Sequence, residues 1–433
     1  MADLRPFRGL RYQSGDIGAA LAPPYDVIDA ESQAALHAQS EHNIIRLELS
    51  EERDGDNDAD NRYTRAAATL REWRETGVVA QEERPSFYVY VQEFEHDGKR
   101  HRRTALFARM RLEPWDAGVM RPHEETMRGP KQDRLQLLRQ LRTNVSPLFA
   151  LYDDAAGRVA PLLARQSLRA PLVDVAAPDG QRYQLCAIDD DAQVANISAA
   201  LADLPLYMLD GHHRYETALA YRDERRAQAA TWTGDEPENF ALVAITAASD
   251  PGLVLLPTHR LVRPASVPAD LAERLQRYFD VEDVTPKSYD GTALLRLLAR
   301  LNAAAPGRTA FGALGLEEGR LHLLTLRDSA AVQALMPERS GVWRSLDVNV
   351  LQYAVLGESL GLTAGNTETV AYTEDATKAM QLVESGRWPL AFLLNATRID
   401  QMIAVADAGE VTPPKTTYFY PKLVTGLVLN AFE

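Results

Sequence analysis

Several features are scarce or missing in this chain, and each absence narrows the classes of protein to which it can belong. A single cysteine, Cys186, among 433 residues excludes an internal disulfide and fits a reducing compartment. No stretch approaches the roughly 18 consecutive apolar residues that a membrane helix needs. The N-terminus also lacks the apolar core of a secretory signal. These observations predict a cytoplasmic protein with no membrane partner.

Basic residues are in deficit as well. The 47 lysines and arginines face 61 aspartates and glutamates, which gives a formal net charge of −14. Because duplex binding depends on a basic surface, this balance argues against a nucleic-acid partner. The hydrophobic fraction of 45% and the charged fraction of 25% are those of an ordinary soluble globular protein.

The length of the chain allows more than one domain with its own core. Strand-like and helix-like segments alternate without the regular rhythm of parallel βαβ units, which favours the α+β class. The pattern changes near residue 264, where amphipathic helices begin. We therefore predict two regions, residues 1–263, a core with an N-terminal elaboration, and residues 264–433, a C-terminal α+β region.

Two local patterns carry specific predictions of secondary structure. Strand-like residues flank Asp97 and Gly98, a pair typical of a hairpin turn. Residues 43–49 alternate well enough to predict a strand.

The most informative run is residues 208–219, Met-Leu-Asp-Gly-His-His-Arg-Tyr-Glu-Thr-Ala-Leu. The apolar residues 204–209 predict a strand that ends at Asp210 and Gly211, and a helix begins at once. A glycine at this corner lets a ligand approach the backbone, and the N–H groups of a helix start favour an anion. Arg214 adds a two-pronged donor suited to phosphate. The run therefore predicts a phosphate-bearing ligand.

Other interpretations of this run stay open. His212 and Glu216 share a helix face and could bind zinc, but no third ligand lies nearby in the sequence. The run could also be an ordinary exposed helix start with polar residues in its first turn. The phosphate interpretation adds a magnesium ion held by Asp210.

Three further segments contain candidate functional residues. His123 stands beside Glu124 in a polar loop, which suits a general base or a metal site but also an ordinary solvated turn. Lys415 and Thr416 open a run of lysines, hydroxyls and aromatics, which suits phosphate binding but also an edge strand. Asp26 follows two prolines and a tyrosine, where it could orient a substrate or close an Asx-turn.

Four segments together carry a family resemblance. They are Ala-Pro-Pro-Tyr-Asp-Val-Ile at 22–28, Arg-Pro-His-Glu with a threonine at 121–126, Asp-Gly-His-His-Arg-Tyr-Glu-Thr-Ala at 210–218, and Pro-Lys-Thr-Thr-Tyr-Phe-Tyr-Pro-Lys at 414–422. The chain is identified on these motifs as a member of the family named domain of unknown function 1015.

The segment from Asp210 is also similar to the phosphate-binding element of the ParB/sulfiredoxin-like superfamily, which includes free-serine kinases. This resemblance implies a ParB/sulfiredoxin-like nucleotide-binding core, which forms the phosphate-binding core of residues 1–263. The final segment of residues 264–433 is expected to return to this site. It implies phosphate contacts for Gly211, His212, His213 and Arg214, with Asp210 near Mg²⁺, and a nucleotide that is ATP or ADP. Sulfiredoxin chemistry uses a cysteine at the motif, which this chain lacks.

The resemblance also implies a carboxylate that accepts the proton of the substrate hydroxyl. Glu124 is the first candidate, Asp26 the second, and His123 stands beside them as a further catalytic candidate. The function expected is a nucleotide-dependent phosphotransferase on a small hydroxy compound, with serine and phosphoserine as the pair in serine metabolism. The alternative is a nucleotide-binding switch or regulatory protein without catalysis.

Overall fold

The computed structural model describes residues 2–125, 129–285, 292–304, 307–362 and 369–433, without the side chains of residues 129 and 130. It divides into two compact units. The first comprises Met1–Pro122, Thr126–Val254 and Pro421–Glu433, and the second comprises His123–Glu125 and Leu255–Tyr420. Among the described residues, no helix combines the length and the apolar character needed to cross a membrane.

The first unit is built on a mixed nine-stranded sheet. Two neighbouring pairs run parallel and the remaining pairs run antiparallel. In spatial order the strands are Met120–Arg121, Leu206–Asp210, Leu148–Tyr152, Phe240–Ala247, Lys99–Arg111, Phe87–His96, Arg182–Ile188 and Val173–Ala176, with Leu4–Arg5 paired to Lys99–Arg111. Two smaller ladders join Leu10–Tyr12 to Val79–Gln81 and Thr143–Asn144 to Asn430–Ala431.

Helices of the first unit pack beside these sheets. Every residue of the strand Phe240–Ala247 is buried, which places it at the centre of the main core. The α-helices are Ile17–Ala20, Ala30–Gln39, Ile45–Glu48, Arg62–Glu75, Gly129–Leu141, Ala160–Gln166, Asp191–Leu201 and His212–Gln228, and the 3₁₀ turns are Tyr25–Val27, Trp115–Ala117 and Pro237–Asn239.

The second unit is built on a six-stranded sheet in which every pair is antiparallel. In spatial order its strands are Phe279–Asp283, Leu321–Leu326, Ala310–Leu314, Leu390–Leu393, His259–Val262 and Val370–Thr373. The short strand Tyr418–Tyr420 lies outside this sheet, and Val254–Leu256 spans the boundary of the units. The helices are Leu271–Leu275, Ala293–Ala304, Ser329–Gln333, Gly341–Arg344, Asp347–Val350, Ala376–Glu384 and Ile399–Asp407, with a π-helix at Leu351–Ser359.

Comparison with the sequence shows one success and one error at this level. The predicted hairpin is confirmed, because Phe87–His96 and Lys99–Arg111 pair antiparallel around Asp97 and Gly98, both at positive φ. The strand predicted at residues 43–49 is wrong, because Ile45–Glu48 is a short helix. The mixture of strands and helices agrees with the predicted class. The predicted division of the chain at residue 263 stays a prediction.

Candidate functional site

The corner predicted from residues 208–219 exists in the first unit. The strand Leu206–Asp210 ends at Asp210, Gly211 turns the chain with φ of 94°, and the helix His212–Gln228 follows. Tyr215 is fully buried in the main core of the first unit, and this packing fixes the orientation of the first helical turn. Within the described residues, no side chain caps this helix start. An uncapped start leaves its first backbone N–H groups without a side-chain acceptor, as anion binding requires.

Gly211 is required here for two reasons. Its positive φ is strained for a residue with a side chain. A Cβ atom at this position would also lie 3.1 Å from Nε of Arg214 and 3.1 Å from Cδ2 of Leu148. The glycine therefore makes room for the arginine three residues later, a reason internal to the fold that the sequence did not reveal.

Asp210 lies between two cations. Nη2 of Arg214 donates to its Oδ2 at 3.2 Å, and Nζ of Lys422 lies 3.4 Å from its Oδ1. Burial raises the pKa of the Asp210 carboxyl, but the charges of Lys422 and Arg214 outweigh that effect and hold the pKa well below its usual value of 3.8. The carboxylate stays ionised at neutral pH, and the three side chains together carry one excess positive charge.

Arg214 is held in a fixed orientation. Nη1 donates to the carbonyl oxygen of Pro147, and the side chain is only 12% exposed. The guanidinium lines a cavity of about 60 Å³, together with Glu48 and Arg134. A cavity of this size is far below the roughly 300–1,000 Å³ of small-molecule sites, so a nucleotide would have to lie outside it.

The turn that contains Asp26 contributes to the same charged surroundings. The Arg134 guanidinium lies 4.2 Å from the ring centre of Tyr25. Burial raises the pKa of Tyr25 to about 12, against the opposing charges of Arg214 and Arg134. Asp26 and Glu48 both interact electrostatically with Arg214. The exposed Asp26 and the buried Glu48 therefore both add negative charge near Arg214.

The two histidines of the corner occupy its first helical turn. His212 is buried, with its ring centre 6.3 Å from that of Trp115, while His213 is partly exposed. One turn further along, Glu216 forms an ion pair with Lys131. The predicted zinc alternative therefore has its glutamate engaged by a cation.

The donor set at Asp210 does not fit a directly bound Mg²⁺. Both carboxylate oxygens face cations, so a metal ion would first have to displace Lys422 or Arg214. Across the described part of the chain, no group of three His, Cys, Asp or Glu side chains is arranged to hold a metal. Asp210 instead orients two cationic side chains.

A second cluster lies in the second unit and joins two of the predicted motifs. The carboxylate of Glu124 accepts the backbone N–H groups of Lys415 at 2.9 Å and Thr416 at 3.2 Å. Lys415 has a φ of 62°, an unfavourable conformation for a residue with a side chain. Glu124 therefore holds a strained loop in place with both of its oxygens.

Neighbouring side chains complete this second cluster. Nε2 of His123 lies 2.8 Å from Oγ1 of Thr417, and the histidine is 1% exposed. Arg260 donates to the carbonyl oxygen of Lys415 at 3.2 Å. Burial lowers the pKa of Arg260 to about 10, opposed by the nearby Tyr372 and Glu124.

The predicted site residues thus fall into two groups, each described by itself. The first unit contains Asp26, Asp210, Gly211, His212, His213 and Arg214, and the second contains His123, Glu124, Lys415 and Thr416. The threonine at position 126 lies outside the described residues. Sequence reasoning missed the following participants: Tyr25, Glu48, Arg134, Arg260 and Lys422. Of these, Tyr25 and Lys422 stood inside quoted motifs, and nothing in the sequence singled out the others.

Comparison with models of known protein families gives the family of this chain. The profile described as a protein of unknown function, DUF1015, matches residues 4–349, which is most of the chain. The protein belongs to this family. Among curated proteins, no sequence matches.

Solved structures show only distant likeness. A conserved hypothetical protein from Pyrococcus furiosus is 15% identical, with 74% of this chain and 92% of that chain covered and a TM-score of 0.33. A mutant free serine kinase in complex with ADP is 14% identical, with 73% and 87% covered and a TM-score of 0.34. SbnI from Staphylococcus aureus is 11% identical, with 75% and 87% covered and a TM-score of 0.33. Likeness at this level carries no argument about function.

Proposed function

We propose that the protein is a nucleotide-dependent phosphotransferase whose first unit binds the nucleotide phosphates at the corner of Gly211. The observation that carries the proposal is the pair of cations on Asp210, at the start of an uncapped seventeen-residue helix. Helix dipole, guanidinium and ammonium then act on the same anion.

The roles of the two cations differ. Arg214 is fixed by Pro147 and Asp210, so it supplies a constant positive charge beside the helix start. Lys422 ends in an ammonium with three donors on a flexible stem, so it can contact a phosphate oxygen while it stays beside Asp210. His212 and His213 stand in the same first turn and add donors to the phosphates.

The acceptor we propose is a small hydroxy compound, with serine and phosphoserine as the pair and ATP or ADP as the nucleotide. Catalysis of this kind depends on positioning and on charge neutralisation. A ParB/sulfiredoxin-like core, a place in serine metabolism and a cytoplasmic location belong to the same proposal. Mg²⁺ would arrive with the nucleotide, since Asp210 is engaged by its two cations.

The proton of the acceptor hydroxyl needs a carboxylate. Glu124 uses both oxygens to bind backbone N–H groups, which makes it a positioning residue for Lys415 and Thr416. His123 supports the same loop through Thr417. Asp26 is exposed beside the charged corner of the first unit, so we assign the proton-accepting role to Asp26.

The test is product formation from serine with ATP or ADP in the presence of Mg²⁺, followed by chromatography of phosphoserine. Arg214→Ala is expected to lower turnover by about a hundredfold, because it removes a charge-assisted donor from the transferring group. Arg214→Lys keeps the charge but loses the guanidinium fork, and we expect about a tenfold loss. Arg182→Ala, which removes an exposed arginine paired with Asp174 in the same unit, serves as the control and is expected to keep full turnover.

A non-catalytic nucleotide switch is the second candidate, and the two engaged oxygens of Glu124 favour it. In that case nucleotide would raise the melting temperature of the wild-type chain while no phosphoserine forms. Turnover in the wild type that Arg214→Ala leaves unchanged would remove the proposed site altogether.

A further inference from the structure

The second unit contains a cavity that none of the predicted motifs reaches. Its volume is about 520 Å³, within the range of small-molecule sites. Four arginines line it, Arg308, Arg327, Arg344 and Arg398, and Asp347 is the one carboxylate on the described wall. In a chain with a net charge of −14, such a concentration of positive charge calls for a physical reason.

Two of the four arginines are neutralised by carboxylates. Arg327 lies 3.7 Å from Oδ1 of Asp280, and Arg398 lies 2.8 Å from Oδ2 of Asp400. With Asp347 included, four guanidinium groups face three carboxylates. The surroundings of the cavity therefore keep a net positive charge.

The other two arginines have no such compensation. Throughout the described ranges, Arg308 and Arg344 form no ion pair with an acidic side chain. Nε of Arg344 is buried and donates to no acceptor there. A buried donor without an acceptor costs free energy, so Arg344 is left uncompensated on this wall.

Neutral polar side chains share the wall with the arginines. Ser329, Gln333 and Asn395 supply hydroxyl and amide groups. Such groups form hydrogen bonds with the hydroxyls of a ligand, while guanidinium forks match phosphate oxygens.

We propose that this cavity binds a phosphate ester of a small polyhydroxylated compound, with Arg308 and Arg344 as its main phosphate contacts. A phosphate monoester carries a charge of about −1.5 to −2 at neutral pH, which suits the net positive charge around the cavity. The inference does not depend on the proposed phosphotransferase, because every wall residue that the structure describes belongs to the second unit.

The experiment is calorimetric titration of the full chain with ribose 5-phosphate, with ribose and citrate as parallel probes. Ribose 5-phosphate is expected to bind, and ribose is not. Arg308→Gln and Arg344→Gln are each expected to weaken binding about tenfold, the effect of losing one charge-assisted contact. Arg320→Gln, which removes an exposed arginine of the same unit paired with Asp283, is the matched control and is expected to leave binding unchanged.

Three results would count against the proposed ligand or its contacts. Failure of ribose 5-phosphate to bind at millimolar concentration overturns it, and so does binding that neither glutamine variant weakens in a folded protein. Arginine-dependent binding of citrate alone overturns the choice of a phosphate ester. Lys422→Met tests the first unit in the same titration. If that variant abolishes binding, the ligand lies at the other site and the proposal fails, whereas unchanged binding supports it whatever the outcome for phosphotransfer.

Discussion

Lysine is a rare residue in this chain, with six in 433 residues, and two of the six stand at positions 415 and 422. Arginine carries nearly all other positive charge, so two lysines in the last motif stand out in the composition. Nζ of Lys422 faces Asp210, and the side chain of Lys422 is 14% exposed. The sequence placed Lys422 in a motif but gave no reason to join it to Asp210, because some 210 residues separate them.

Gly211 gives the sharpest prediction at a single residue. Gly211→Ala is expected to destabilise the protein by about 1–3 kcal/mol, because the methyl group meets a strained φ and the Nε atom of Arg214. The methyl group is also expected to displace the Arg214 side chain, which would weaken nucleotide binding. Denaturant unfolding and calorimetry measure the two effects.

Gly15→Ala is the matched control for that substitution. Gly15 has a φ of 91°, almost that of Gly211, but a Cβ there meets no atom within 4 Å. The control therefore isolates the cost of backbone strain, about 1 kcal/mol, and should leave nucleotide binding intact. Equal effects of the two substitutions on binding would contradict the role given to Gly211.

Asp347 predicts a pH dependence of stability. Burial raises the pKa of this carboxyl to about 6, against the hydrogen bond from Thr309 and the charge of Arg398. The unfolded state releases this proton near pH 3.8 and the folded state near pH 6. Between these values the folded state binds more protons, so the stability of the protein falls as the pH rises from 3.8 to 6. Above pH 6 the penalty reaches about 3 kcal/mol.

Asp347→Asn removes that penalty. We expect the variant to be more stable than the wild type at pH 7.5 and no more stable at pH 3.5, as measured by denaturant unfolding at both values. Asp58→Asn, in an exposed loop of the first unit, should show no such dependence. A variant that is less stable than the wild type at pH 7.5 would show that the charged form of Asp347 is needed.

At the scale of elements, the sequence was reliable where apolar periodicity alone decides the structure. The strand Leu206–Asp210 and the helix His212–Gln228 follow from buried positions at the spacings of a strand and a helix. Residues 43–49 failed because a side chain decides their conformation. Oδ1 of Asn43 accepts the N–H of Ile45 at 2.9 Å, and its Nδ2 donates to the carbonyls of Ala19 and Leu21.

Asn43 is therefore the residue on which this helix depends. Asn43→Ala is expected to cost about 2–4 kcal/mol, because Asn43 is fully buried and three hydrogen bonds are lost together. Asn57→Ala, which removes local hydrogen bonds in an exposed loop, is the control and should cost less than 1 kcal/mol. Equal losses in denaturant unfolding would mean that Asn43 does not organise the segment.

At the scale of the whole molecule, the family could be recognised from four motifs, but their grouping in space could not. Glu124 and Lys415 are 291 residues apart and contact each other, while Lys415 and Lys422 are close in sequence and belong to different units. Such long-range grouping depends on where the chain passes from one unit to the other, after residues 122, 125, 254 and 420. Periodicity and composition carry no information about those crossings.

The central claim is that the corner of Gly211 binds nucleotide phosphates with Arg214 and Lys422, and calorimetric titration of the full chain with ADP tests it most directly. Lys99→Met, an exposed lysine of the same unit, serves as the control for Lys422→Met. We predict that ADP binds the wild type and Lys99→Met equally, and binds Lys422→Met about tenfold more weakly, because a charge-assisted contact is lost. The claim is contradicted if ADP does not bind the wild type, or if Lys422→Met binds ADP as tightly as Lys99→Met does.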